Sequence, residues 1–208
     1  LALAYSRLGQ TQKAIKYFQK QLNISQEFEN FEEACGLLAN LGDAYAVSGN
    51  LDRAKNYYEE QRVLAESKGL HAFVGSSYNG VGFVLVKQGE IELAIGCYFK
   101  ALESYREFED YDKQLELLVG IGLNYRKLEQ WEKAIECLEQ ALEIAKYIEN
   151  RKEEPQIRVD LAESFFKLGK RDLAAAQIHK AEEDLKISQS AWSASLMRRI
   201  EILKNFDD

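Results

Sequence analysis

A pattern that returns every forty residues constrains this chain more than any other feature. Steps of forty through Gly42 meet Ala2, Gly42, Gly82, Gly122 and Ala162, all small. The residues before them, Leu1, Leu41, Val81, Ile121 and Leu161, are all aliphatic. Three places after the small residue stand Tyr5, Tyr45, Leu85, Tyr125 and Phe165. Gly9, Gly49, Gly89 and Gly169 hold a further column, with Glu129 as its exception. Ala14, Ala54, Ala94, Ala134 and Ala174 hold the next without exception, followed by Phe18, Tyr58, Tyr98, Leu138 and Ile178. A register kept over five units without an insertion is the mark of a repeat array.

Each column has a physical reason. Spacings of three and four are helix spacings, so each unit carries two apolar helical stripes. The small residue lets one helix approach its partner, and the aromatic three later is expected to fill the space beside it. The glycine sits at the turn, where a positive φ is cheap for glycine. The alanine opens the contact face of the second helix. One such unit cannot bury its own apolar faces, so neighbours must stack.

These columns resemble the tetratricopeptide repeat (TPR). Leu41-Gly42, Tyr45, Gly49, Ala54 and Tyr58 follow the family's order, and the likeness covers essentially the whole chain. Three departures stand out. The family's early tryptophan is Leu38, Tyr78, Leu118 and Arg158 here, and its closing proline is absent. The period is forty rather than the usual thirty-four, similar to the arrays of spindle-orientation adaptors and of some bacterial signalling proteins. The resemblance implies an all-α, right-handed α-solenoid of five helix-turn-helix units with a C-terminal capping helix.

The units are expected as one array over 1–208: an incomplete 1–29, then 30–69, 70–109, 110–149 and 150–187. Leu1 falls inside the first helix of its unit, so the register predicts residues before it. Pro155, the single proline, suits a first helical turn. After Ile187 the columns stop, and Trp192, Leu196, Ile200 and Leu203 mark an eleventh, amphipathic helix over 188–206, read as a cap on the last apolar face.

The formal net charge is −7. General nucleic-acid binding needs a basic stripe to displace counterions, so it is not expected. No apolar run approaches a membrane span. Cys35, Cys97 and Cys137 form no Cys-x-x-Cys pair, which points to a reducing compartment, the cytoplasm. No cofactor motif is present. His71 and His179 lie far apart, and neither is read as having a cysteine or carboxylate at ligand spacing. Catalysis is therefore not expected.

The resemblance assigns the inner surface to particular columns of the first helices. Asn40, Asp43 and Asn79 flank one end of a groove, Phe83, Val86, Val119 and Leu123 form an apolar middle, and Arg126, Asp160, Glu163 and Lys167 flank the other end. Apolar anchors with polar neighbours suit a bound peptide. The asparagine amides both donate and accept, as an extended backbone requires. Two readings stay open for the apolar residues, because periodicity does not separate groove-facing from core-facing by one position. Arg7, Lys87, Lys127 and Lys167 form either a ladder for an acidic peptide or cations at helix C-termini. Arg126 and Glu163 suit a ligand or a salt bridge to each other. The clamp for chaperone C-terminal carboxylates in some family members is not expected: Asn40 fits one of its columns, but Ala39, Asp43, Glu116 and Gly120 occupy others. The expected role is an interaction scaffold for a peptide segment of a partner. The alternatives are a peptide-sensing regulatory domain or an array that self-associates through its ends.

Overall fold

The computed structural model describes residues 1–188 and 194–204. Trp192, assigned above to the closing helix, lies outside the described residues. Among them the chain is all-α, with eleven helices. They gather into two compact units, residues 1–109 and 110–208.

The first unit holds α1 (Ala2–Arg7), α2 (Thr11–Glu27), α3 (Phe31–Val47), α4 (Leu51–Lys68), α5 (His71–Gln88) and α6 (Ile91–Glu107). Helices consecutive in sequence pack as antiparallel pairs, and α3 also touches α5, so two first helices lie side by side. The second unit holds α7 (Tyr111–Lys127), α8 (Trp131–Tyr147), α9 (Glu154–Lys167), α10 (Arg171–Ser188) and α11 (Ala194–Lys204). Here α7 touches α9, and α11 lies against α9. Pro155 falls in the first turn of α9, where its missing N–H costs nothing.

The repeat columns are the core. Ala14, Ala54, Ala94 and Ala134 are fully buried, and Ala174 nearly so. The space beside the small residue is filled differently from the sequence expectation. A methyl group on Gly42 would lie 2.5 Å from the ring of Tyr58, one on Gly82 2.6 Å from Tyr98, and one on Gly122 2.8 Å from Leu138. The filler is thus the large residue of the second helix. Tyr45 instead stacks on Tyr57, ring centroids 5.3 Å apart, as Tyr5 stacks on Tyr17 at 5.4 Å. A helical glycine here trades helix propensity for close approach.

The turns share one geometry. Residues 9, 29, 49, 69, 89, 109, 129, 149 and 169 all have φ between 53° and 85°. The amide of Asn50 donates to the Tyr45 carbonyl at 2.9 Å and that of Gln130 to the Tyr125 carbonyl at 3.0 Å, which closes a Schellman turn. Glu129 takes the left-handed conformation (φ 56°) as its glycine counterparts do, and so do Glu29, Glu109 and Glu149. Where Asn30, Asn50 or Asp110 follows the turn, its side chain accepts the amide of Glu33, Arg53 or Lys113 and caps the next helix.

Candidate functional site

In unit 1–109 the candidate residues sit on α3 and α5. Phe83 is 43% exposed on α5, whereas Val84 beside it is fully buried. The Lys87 ammonium lies 5.4 Å from the centroid of the Phe83 ring, so the cation covers an aromatic face that water otherwise wets. Val86 is half-buried. Asn79 on α5 and Asn40 on α3 are half-buried, and neither amide has a hydrogen-bond partner among the described residues. Asp43 is exposed but engaged: the Tyr58 hydroxyl donates to its Oδ1 at 2.5 Å. Tyr58 is held between Gly42 and Gly80, since a methyl group on Gly80 would meet the same ring. Burial first, then the hydrogen bond and charge of Asp43, push the Tyr58 phenol far above its ordinary range. The hydroxyl therefore stays a donor, and Asp43 acts as a fixed acceptor at the edge of the α3–α5 face.

In unit 110–208 the candidates sit on α7 and α9, and most of them are paired. Arg126 donates from Nη1 to Asp160 Oδ1 at 2.5 Å and from Nη2 to Glu163 Oε2. Arg199 of α11 joins the same carboxylates, Nη2 at 2.5 Å from Asp160 Oδ1 and Nε at 2.6 Å from Glu163 Oε1. Gln156 donates to Asp160 Oδ2 at 3.1 Å. Of the two open readings for Arg126 and Glu163, the salt bridge is the one formed. Burial alone raises the Glu163 carboxyl, but the hydrogen bonds and charges of Arg199 and Arg126 outweigh it, and the net shift is downward. Leu123 is half-buried on α7. A second pairing lies nearby, where Arg158, itself buried, donates from Nε to Asp184 at 2.6 Å and from Nη1 to Gln177 at 3.3 Å.

The basic column stands at helix ends. Arg7, Lys87, Lys127 and Lys167 stand in the last turns of α1, α5, α7 and α9, where a cation complements the C-terminal dipole. Lys127 also donates to the Asn124 side chain at 3.4 Å.

Three clefts of roughly equal size open elsewhere. One of ≈ 300 Å³ lies beside Gln19, Tyr45, Arg53 and Tyr57, and one of ≈ 320 Å³ beside His71, Tyr78, Lys100 and Ser104. A third, of ≈ 290 Å³, is lined by Asp112, Leu115, Glu116, Val119, Asn150 and Glu153. None of the groove candidates except Val119 lines these three.

Two residues at the heart of these arrangements were not singled out as site residues by the sequence. The signal for Arg199 was present: Leu196, Arg199, Ile200 and Leu203 follow helical spacing, so the arginine falls on the apolar stripe. Tyr58 had a weaker signal in the glycines at 42 and 80, on two neighbouring first helices. One histidine reading needs correction. His179 does have a carboxylate one turn on, Glu183 Oε1 at 3.7 Å from Nδ1, though both are exposed. Among the described residues no three His, Cys, Asp or Glu side chains gather as a metal site would require. The three cysteines are free, and burial first of all raises each thiol, Cys35 and Cys137 to about 11. No helix among the described residues is long and apolar enough to cross a membrane.

Comparison with known proteins agrees with this architecture. Tetratricopeptide repeat models match residues 73–146 and 113–186, with further matches at 1–34 and 36–61. The chain is 26% identical over 157 residues to outer dynein arm-docking complex subunit 4 of Xenopus laevis, covering 76% of this chain and 29% of that protein. It is 27% identical over 109 residues to response regulator aspartate phosphatase E of Bacillus subtilis, covering 51% of this chain and 28% of that one. The chain thus spans under a third of the length of these curated relatives. Among solved structures it is similar to BtubC (BKLC) from P. vanneervenii, with a TM-score of 0.83 at 20% identity over 93% of this chain and 80% of the other, a likeness of fold. With family models covering well over half of its length, and with the small, aromatic, glycine and alanine columns in the packing roles described, the chain belongs to the tetratricopeptide repeat family.

Proposed function

We propose that this chain is a protein-interaction scaffold that holds a peptide segment of a partner on its first-helix faces, foremost that of α3 and α5. Tetratricopeptide repeats are in general protein–protein interaction modules. The observation that carries the reading here is Phe83, a large aromatic side chain left 43% exposed in mid-helix with Lys87 over its ring. The unpartnered amides of Asn79 and Asn40 and the fixed acceptor Asp43 share its two helices. An exposed aromatic anchor with polar groups around it is the pattern of an interface hot spot. Val86 extends the apolar part of the reading on α5, and the corresponding face of the second unit carries its own apolar residue, Leu123, with Lys127 and Lys167 as exposed cations. The role is binding rather than catalysis. The free, burial-raised thiols suit a reducing compartment such as the cytoplasm.

The test is affinity capture from native extract with wild type, Phe83→Glu and Asn79→Ala side by side. The expected result is a partner retained by wild type, lost with Phe83→Glu and weakened with Asn79→Ala. Equal retention by all three rejects the α3–α5 face. A second reading, a regulatory domain that responds to a peptide, is favoured by the match to a response regulator aspartate phosphatase over half of the chain. It requires the radius of gyration in solution to change when the captured segment is added. Self-association requires the mass in solution to rise with concentration.

A further inference from the structure

The closing helix rests on a face that the repeat pattern gives to a ligand. Asp160 and Glu163 stand in the columns of Gly80 and Phe83, one unit-pair further along the chain. In unit 110–208 that face of α9 is held by α11. Leu196, Ile200 and Leu203 are buried, and Arg199, which shares their stripe, sets its guanidinium on both carboxylates at 2.5–2.7 Å. Asp160 is 2% exposed. Arg126 reaches the same two acids, so two guanidiniums balance two carboxylates. Without Arg199 the cluster keeps one cation for two anions, and the remaining buried charge demands a replacement. The planar fork of a guanidinium suits these two carboxylates, where an ammonium fits less well.

The holder itself is slight. α11 has 11 residues, a length marginal in isolation. Its outward side leaves Met197 49% and Ile202 45% exposed, so little of its apolar surface beyond the inner stripe is tied to the array.

We propose that α11 is an exchangeable occupant of this face, and that the ligand which replaces it is a basic amphipathic helix of a partner protein. Its arginine carries aliphatic residues three places before, one after and four after, as Arg199 carries Leu196, Ile200 and Leu203. The proposal rests on the reading that first-helix faces bind partner segments, and it names the chemistry of the segment for the second unit. A partner helix without the arginine leaves the acids uncompensated and does not displace α11.

Two measurements on the full chain test it. In amide hydrogen exchange of the wild type, residues 194–204 are expected to exchange at least 100-fold faster than the core of α9. Equal protection of α11 and α9 overturns the proposal. The second probe is a fluorescent synthetic peptide with the sequence of residues 194–204. It is expected to bind Arg199→Ala at least 10-fold more tightly than wild type, whose own tethered α11 competes at high effective concentration. The same peptide with alanine at the position matching Arg199 is expected not to bind. Equal binding to both proteins, or to neither, overturns the exchange. Phe83→Glu lies in the other unit and leaves peptide binding unchanged. Failure of the peptide test with Phe83-dependent capture intact therefore rejects the exchange and leaves the α3–α5 face standing.

Discussion

The close approach of helices in this chain is decided at single glycines, and two that share a column differ in kind. Gly80 faces the ring of Tyr58, which is pinned from its other side by Gly42, while a methyl group on Gly120 would meet nothing within 4 Å. Gly80→Ala is therefore expected to destabilise by about 1–3 kcal/mol, since the ring has no room to yield. Gly120→Ala is expected to stabilise by about 0.5–1 kcal/mol through helix propensity alone. Urea denaturation of the two variants checks the contrast, and equal signs would show that the Tyr58 wedge does not set the spacing. Gln61 offers the opposite case. It is fully buried on α4 with neither amide atom hydrogen-bonded, at a column where Ala101, Ala141 and Ala181 stand in other units. Gln61→Leu removes an unmade pair of hydrogen bonds at similar volume, and a gain of about 1 kcal/mol is expected in the same assay. A loss there would mean that the amide is satisfied by bound water.

Between helices, the controlling device is a left-handed residue every twenty positions. Four of these places carry glutamate, which has a Cβ to accommodate at φ of 53–56°. Glu129→Gly is expected to raise stability by about 0.5–1 kcal/mol, read as a higher midpoint in thermal denaturation. No gain would mean that the Glu129 side chain offsets its backbone strain. This device explains what was legible in the sequence. The forty-residue register and its helix spacings were readable because small, aromatic and alanine columns leave a direct mark on residue type. Glu29, Glu109 and Glu149 were not readable as turn pivots, because nothing in a glutamate announces a positive φ. The candidate site was half legible for a similar reason. Spacing places Phe83 and Val84 only one position apart, and packing alone makes one exposed and the other buried. The pairing of Arg126 with Glu163 was one of two open readings. Its closure by Arg199 comes from a helix outside the register, so no column predicted it.

At the level of the folded chain, electrostatics concentrates in unit 110–208. The carboxyl of Glu163 is held below its ordinary value in the folded protein. Such a group contributes stability above the unfolded value, near 4.3 for glutamate, and loses that contribution as pH falls through the lower folded value. Wild type is therefore expected to exceed Glu163→Gln in stability at pH 7, with the gap narrowing steadily below about pH 4.5. Denaturant midpoints of both proteins from pH 7 to pH 3 check this, and a gap independent of pH would remove Glu163 from the account. The twenty-residue comb of left-handed pivots has a consequence for how such a chain changes length. Removing residues 50–89 joins Gly49 to Glu90, a turn of the same hand to the start of a helix of the same parity, because Gly49 and Gly89 share their backbone geometry (φ 82° and 85°). The pivots are thus natural splice points. A genetic duplication or excision in multiples of forty passes through the fold without a frame error in three dimensions, whereas one of twenty exchanges first helices for second and sets the glycine wedges against the wrong neighbours.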